Sequence, residues 1–343
     1  MYEEYVRKRI LAILFLLLLI ITLAIFSLTK GAYPLSAKEV ILALFTRGNP
    51  SAREAVWNIR LPRIIASIIV GASLALGGAV LQGILRNPLA TPFTMGVSHG
   101  AMFGASLAIL LGAGYAESSG KISVDNPYII VAFAFAGAMT STVVIILLAK
   151  LKGLSPQAMI LAGVAMSSLF VALTTLIQYF ANEIQLAAMV YWSFGDLGRP
   201  YWFENAIMIL SLIPILAFFL LKGWDLNASS LGDEVALSVG VDIEKFRLIS
   251  AVLSTYVTSV TVAFVGVIGF VGLIAPHIVR LIFGGDYRFL IPLSTLLGGL
   301  ILLVADTFAR LIFSPMILPV GVVTSFLGAP MFLYLLIRME GRE

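Results

Sequence analysis

The sequence predicts an all-α, polytopic membrane protein with about ten transmembrane helices, and three observations carry that expectation. Of the 343 residues, 60% are apolar before glycine is counted. Only 12% are charged, about half the share usual in a soluble domain. The apolar residues fall in runs of about 20, the length a helix needs to cross roughly 30 Å of hydrocarbon. No soluble core could bury so much apolar side chain, whereas lipid accepts it, so soluble globular and disordered classes are excluded. The absence of cysteine excludes disulfides, thiolate metal sites and cysteine nucleophiles. A net charge of +4 is too small to suggest nucleic acid as a partner.

In chain order, spans are expected near 10–29, 62–84, 94–114, 128–150, 157–181, 199–222, 246–268, 289–311 and 318–338. A tenth, broken span is expected at 271–283, interrupted by Pro276 and bounded by glycines. The first run follows Arg7, Lys8 and Arg9 like a secretory signal, but it is too long for a signal core and no small-x-small cleavage site follows. It is read as an anchor. With the N-terminus inside, ten spans place 13 of the 22 Lys and Arg on the cytoplasmic side and nine outside. That bias has the sign of the positive-inside rule. Six of the nine outer cations lie between Lys30 and Arg63. The chain is thus one transmembrane domain over 1–343, with an external segment at 31–61 and a cytoplasmic loop at 223–245. A surface helix is expected near Ala37 to Thr46. A faint internal repeat relates 62–92 to 247–280, each running from a Gly-rich span into a proline-containing cytoplasmic turn.

Within lipid, helices associate by close backbone approach, which small residues permit. Gly71, Ala75 and Ala79 fall on one face, and Gly96, Gly100 and Gly104 repeat the same spacing. Ordinary bundle packing accounts for any one of them. Charge inside the spans is sparse, as its cost requires. Asp306 stands four residues before Arg310, which suits an intrahelical ion pair, with a proton relay as the other reading. Glu183 and Asp196 lie near outer span ends, where water reaches.

Enzymatic signatures are missing. His99 and His277 have no carboxylate at metal-ligand spacing and read as satisfied structural histidines. Neither HExxH nor GxSxG occurs. The nearest approach to a phosphate loop, Gly114 through Gly120-Lys121, has five intervening residues instead of four and Ile122 where a hydroxyl belongs. A nucleotide-driven transporter built on this chain would need another chain to bind the nucleotide.

The cytoplasmic loop carries a short helix signal over 230–240. Ser230 can cap, Asp233 and Glu234 complement the helix dipole, and Gly240 supplies a stop. Gly232, Ala236 and Gly240 share four-residue spacing that would let another protein come close. Asp242 can cap a second short helix. An inert connecting loop is the alternative.

Three blocks together resemble the permease family of ABC importers for iron-siderophore, haem and cobalamin. The first is Arg60-Leu-Pro-Arg63, the Gly-rich span, Gln82, then Arg86-Asn87-Pro88-Leu89-Ala90-Thr91-Pro92 and Gly96; the second is Gly232 to Gly240. The third runs from Gly269-Phe-Val-Gly-Leu-Ile-Ala-Pro276-His277 and Arg280 through Asp306, Arg310, Leu318-Pro319, Gly321 and Gly328-Ala-Pro330. The resemblance covers nearly all of the chain after residue 30. It implies a permease subunit of the cell membrane that is not itself an enzyme and has both termini in the cytoplasm. This subunit pairs with a second copy as a homodimer, binds two cytoplasmic ATPases and receives cargo from an external binding protein. It also implies that the chain holds no cofactor, since ATP and Mg sit on the ATPase. The ATPase-coupling residues would be Gly232, Asp233, Glu234, Ala236 and Gly240. Arg60, Arg63 and Arg310 would meet acidic groups on the binding protein. The path between copies would be lined by the fifth span, Gln157 to Tyr179, and gated by Asn87, Leu89, Ser155 and Gln157. Iron chelate, haem, cobalamin and molybdate-type oxyanions all remain open as cargo. Outside the resemblance, an ion-coupled secondary transporter or channel is the competing reading, with Asp306 as its lone intramembrane carboxylate, and a membrane scaffold is a third.

Overall fold

The apolar runs fold as helices because a lipid-embedded backbone must satisfy its own N–H and C=O groups. The computed structural model describes residues 2–31, 33–45, 47, 49–112, 116–118, 121–123, 126–314 and 316–340, with 116–123 and 331–340 described by backbone alone. Helix α1 (Tyr2–Thr29) leads to α2 (Ala37–Leu44) and α3 (Pro50–Glu54), which continues through a π-helical turn (Ala55–Arg60) into α4 (Leu61–Ile84). A 3₁₀ turn (Pro92–Met95) precedes α5 (Val97–Leu110), and α6 (Pro127–Lys150), α7 (Pro156–Phe180), α8 (Glu183–Ser193) and α9 (Trp202–Leu221) follow. Helices α10 (Gly223–Leu231) and α11 (Asp233–Ser238) form the loop, and α12 (Ile243–Val265), α13 (Val271–Phe283), α14 (Tyr287–Leu311) and α15 (Val320–Glu340) complete the bundle. Among the described residues seven helices are long and apolar enough to span, and three shorter apolar ones, in α5, α13 and α15, make about ten transmembrane helices.

Several expectations are corrected. The span expected at 94–114 is helical only over Val97–Leu110, because Gly96 and Gly112 both adopt positive φ at its ends. Gly96 therefore serves a turn, where it lies against the Ser141 side chain of α6, and Gly100 and Gly104 pack on the α6 backbone. The all-α class holds for the bundle, but a short antiparallel hairpin pairs Ala116–Ser118 with Lys121–Ser123. Helix α8 lies in a stretch expected to be a connection. The 62–92 and 247–280 likeness fails: α4 ends beside α11, whereas α12 begins there and ends at the opposite pole, where Val265 accepts from the Asp196 amide. The positions Thr46, Gly114, Gly120 and Arg342 lie outside the described residues.

Helix α4 is the axis. Only Leu61, Ile65 and Ile68 escape full burial along it, and it packs most extensively on α14, then on α12 and α13. Its small residues explain the closeness: a methyl group placed on Gly71 would lie 2.2 Å from the Gly298 carbonyl oxygen, and one on Gly78 would lie 1.8 Å from that of Gly272. Helix α1, by contrast, is mostly uncovered and is fastened at its two ends. Near its start Arg9 donates to the Phe283 carbonyl and Tyr5 to Asp286 at 3.2 Å. Near its end the Ser27 hydroxyl accepts from Thr307 at 3.1 Å, and Leu28 O accepts from Arg60. Helix α2 forms where expected because Ser36 and Glu39 make a reciprocal capping box.

Candidate functional site: a loop, two turns and an arginine cluster

The functional residues gather at opposite poles of the bundle. At one pole the chain leaves α4 at Ile84, turns through Arg86, Asn87 and Leu89, and returns toward α5. The Asn87 side chain accepts from the Leu89 amide at 2.9 Å, which fixes the turn, and Leu89 projects outward. Nearby, the α6–α7 turn ends on Ser155, which caps α7 through the Ala158 amide, with Gln157 exposed beside it. Arg86 (φ 48°) and Leu154 (φ 50°) both hold left-handed backbone without being glycine, a conformation that costs on the order of 1–2 kcal/mol.

The loop lies against these turns, but its helix differs from expectation. Gly232 adopts φ 133° and separates α10 from α11. Ser230 therefore does not cap; its hydroxyl donates back to Asn227 O inside α10. Ala236 is fully buried against Ala228, Ile243 and Val241, so it supports the loop from within instead of facing a partner. Gly240 (φ 85°) ends the helix as expected, with Val241 N bonded to Ala236 O. Asp242 caps α12 itself, so no second short helix intervenes. The residues presented outward are Glu234, Ser238, Gly240 and the apolar Leu231, Val235, Leu237 and Val239. Asp233, partly exposed, accepts from Arg247 at 2.6 Å and Arg86 at 3.3 Å.

At the other pole stand the three arginines expected to dock a partner, and the structure corrects their setting. Arg60, Arg63 and Arg310 are 5%, 8% and 8% exposed. Arg60 donates to the carbonyls of Leu28 and Tyr33. Asp306, fully buried, receives Arg63 Nε at 2.8 Å on one oxygen and Arg310 Nε at 3.0 Å on the other. The expected intrahelical pair thus exists and is widened by Arg63 into a cluster joining α1, α4 and α14. Arg63 also reaches Asp196 at 3.4 Å, so Asp196 is paired and not merely wet. Asp306 is sandwiched between two cations, which removes the intramembrane carboxylate on which an ion-coupled reading depends. On this pole Lys38, Arg47 and Arg53 are exposed.

Between the poles an apolar cavity of about 710 Å³ is walled by Phe93, His99, Phe194, Val267, Gly321 and Phe326, among others. His99 borders this cavity, and among the described residues no protein group hydrogen-bonds its buried Nδ1. Among the described residues no group of three or more His, Asp or Glu is placed to hold a metal ion.

A helical bundle of about ten passes, with a helical loop at one pole and a buried arginine–aspartate cluster at the other, has the architecture of a polytopic membrane protein. The FecCD transport family model matches residues 17–338, and the chain belongs to that family. It is 59% identical over 342 residues, 99% of this chain and 98% of the other, to a Methanocaldococcus jannaschii protein provisionally named an ABC transporter permease. It is 35% identical over 95% of both chains to the hemin transport system permease protein of Yersinia pestis. It is 40% identical to the vitamin B12 import system permease protein of Salmonella arizonae, over 82% of this chain and 83% of that one. Among solved structures it resembles an inward-facing transporter provisionally classed as of the metal-chelate type, with TM-score 0.83 and 31% identity over 95% of this chain and 98% of that one. The chain is thus a permease of the ABC-importer type and not itself an enzyme. The motif blocks that suggested the family meet in space: Gln82 accepts from Arg280 at 3.2 Å, and Arg63 meets Asp306 across 243 residues of sequence.

Proposed function

We propose that the chain is the membrane half of an ATP-driven importer for a metal chelate, working as a pair of identical copies with two ATPases and an external binding protein. The observation that carries this reading is the row of exposed apolar side chains on α10–α11, Leu231, Val235, Leu237 and Val239, on the one sizeable loop of that pole. An apolar row in water marks a docking surface, and a permease without a nucleotide loop needs an ATPase there. That pole is the cytoplasmic one in this reading, with both termini, and the pole of Arg60, Arg63 and Arg310 is external. The binding protein would be met there by the exposed cations Lys38, Arg47 and Arg53, with the arginine cluster holding the platform from below. Charge of that kind sets encounter rate and register. The cavity at His99 and the free face of α7, including Leu161, Val164 and Tyr179, would line the path between copies.

The cargo is a metal chelate. Relatives at 35% and 40% identity are named for hemin and for vitamin B12, so identity at that level leaves open which chelate this chain moves. The test is assembly: Leu237→Asp with Val239→Asp should lose the ATPase on co-purification and lose ATP-driven uptake of hemin and cobalamin in proteoliposomes. Retention of a full complement of ATPase by this variant would refute the docking surface.

A further inference from the structure

We propose that Arg247 is the positioning residue that ties the α10–α11 loop to both turns of its pole, so that the three move together. The proposal rests on the reading of that loop as the ATPase-docking element. The geometry is specific. Arg247 is wholly buried, and each of its nitrogens serves a different segment. Nε donates to Ile84 O at 3.2 Å, where α4 gives way to the Arg86–Leu89 turn. Nη1 donates to Leu154 O at 3.2 Å, at the turn before Ser155. Nη2 donates to Asp233 Oδ1 at 2.6 Å, in the first turn of α11.

A guanidinium is a rigid planar fork that stays charged, so three acceptors held by one of them keep a fixed spacing. Helix α11 itself packs only on α10 and α12 to any extent, and Asp233 reaches the Leu154 turn through Arg247. Asp233 also holds Arg86 at 3.3 Å, giving a second, shorter route to the first turn alone. Of the nearby acidic groups, Glu234 points outward on α11 and Glu244 lies beside Gly153, and neither makes an ion pair with Arg247 among the described residues. Withdrawing Asp233 without its partner would strand a buried cation on two carbonyls, which is strongly unfavourable. The loop therefore drags the guanidinium, and the guanidinium drags the carbonyls. One carbonyl is that of Leu154 and the other lies two residues before Arg86, both non-glycine residues with left-handed backbone, and such backbone persists only where its surroundings hold it.

The first test needs no partner and is a double-mutant cycle read by amide exchange in the full-length permease in nanodiscs. Asp233→Asn should speed exchange over residues 151–157 about fivefold in the wild-type background and leave it unchanged in the Arg247→Gln background. An equal effect in both backgrounds, or none in either, overturns the proposal. Should Arg247→Gln fail to fold, Arg247→Lys, which keeps the charge but cannot serve three acceptors at once, stands in the cycle with the same expectation. The second test uses the complex with the ATPase and spin labels at Leu89 and Gln157. The Arg247 variant should retain the ATPase while the ATP-induced distance change shrinks at least about fivefold; a full change refutes the proposal. If the wild-type permease binds no ATPase, the docking reading fails, and the exchange cycle still decides the role of Arg247.

Discussion

Replacing Asp306 by asparagine preserves the shape of the side chain and removes the charge that two arginines share. Arg63 and Arg310 donate to separate oxygens at 2.8 and 3.0 Å, and the Asp306 side chain is 0% exposed. Removing one member of a buried ion pair costs about 3–5 kcal/mol, because the other is left charged and unpaired. Two such partners would push the loss upward. Each arginine keeps a second acceptor, however: Asp196 for Arg63, and Ser27 with the Lys30 carbonyl for Arg310. The expected loss is therefore about 3 kcal/mol, at the low end of that range. It can be read from reversible unfolding in mixed micelles, followed by tryptophan fluorescence. Adding Arg310→Met to Asp306→Asn should recover part of the loss, since one fewer cation is stranded. A loss below about 1 kcal/mol, or no recovery in the double variant, would refute the view that these arginines hold the bundle together.

Gly71→Leu should destabilise by about 3 kcal/mol or more, because the Gly298 backbone that its side chain would meet cannot swing aside; thermal unfolding in detergent measures it. Asp286 supplies a pH prediction. Burial alone would raise its pKa, but hydrogen bonds from Arg288 and Asn227 prevail and hold the carboxyl down to about 2, against 3.8 for the free group. A depressed carboxylate stabilises above its unfolded pKa and stops doing so as pH falls through its folded one. The gap between wild type and Asp286→Asn, on the order of 2 kcal/mol at neutral pH, should thus close between pH 4 and pH 2. Ser36→Ala, which removes the capping box of α2, should cost about 1 kcal/mol, seen as faster exchange at the Glu39 amide while the spans are unaffected.

Much of the fold was legible because lipid imposes one simple rule on length and apolarity. The passes, the short α2 and the Asp306–Arg310 pair all follow from local spacing. What escaped were matters of distance and depth. Arg247 looks like any cation at a span end, and nothing within its own helix reveals acceptors at Ile84, Leu154 and Asp233. Arg60 and Arg63 likewise sit where surface charge is expected, and only the return of α14 and of the α1 end covers them. The loop helix was misplaced by two residues because Ser230 is a good cap in isolation, whereas Gly232 interrupts the chain for a conformational reason that composition does not encode. The cavity beside His99 had no local signal at all, since it is built from four distant segments.

The two fastenings of α1 set a length. Arg9 and Ser27 are 18 residues apart, which at 1.5 Å per residue is about 27 Å, close to the hydrocarbon thickness of a biological bilayer. Between them the helix leans on the bundle by one face only, through Ile13, Leu16 and Ile20, and its other face is uncovered. It is strung like a tie-rod across the membrane, so a thicker or thinner bilayer would strain the Phe283 and Ser27 anchorages first. The choice of lipid chain length is for this permease a mechanical variable.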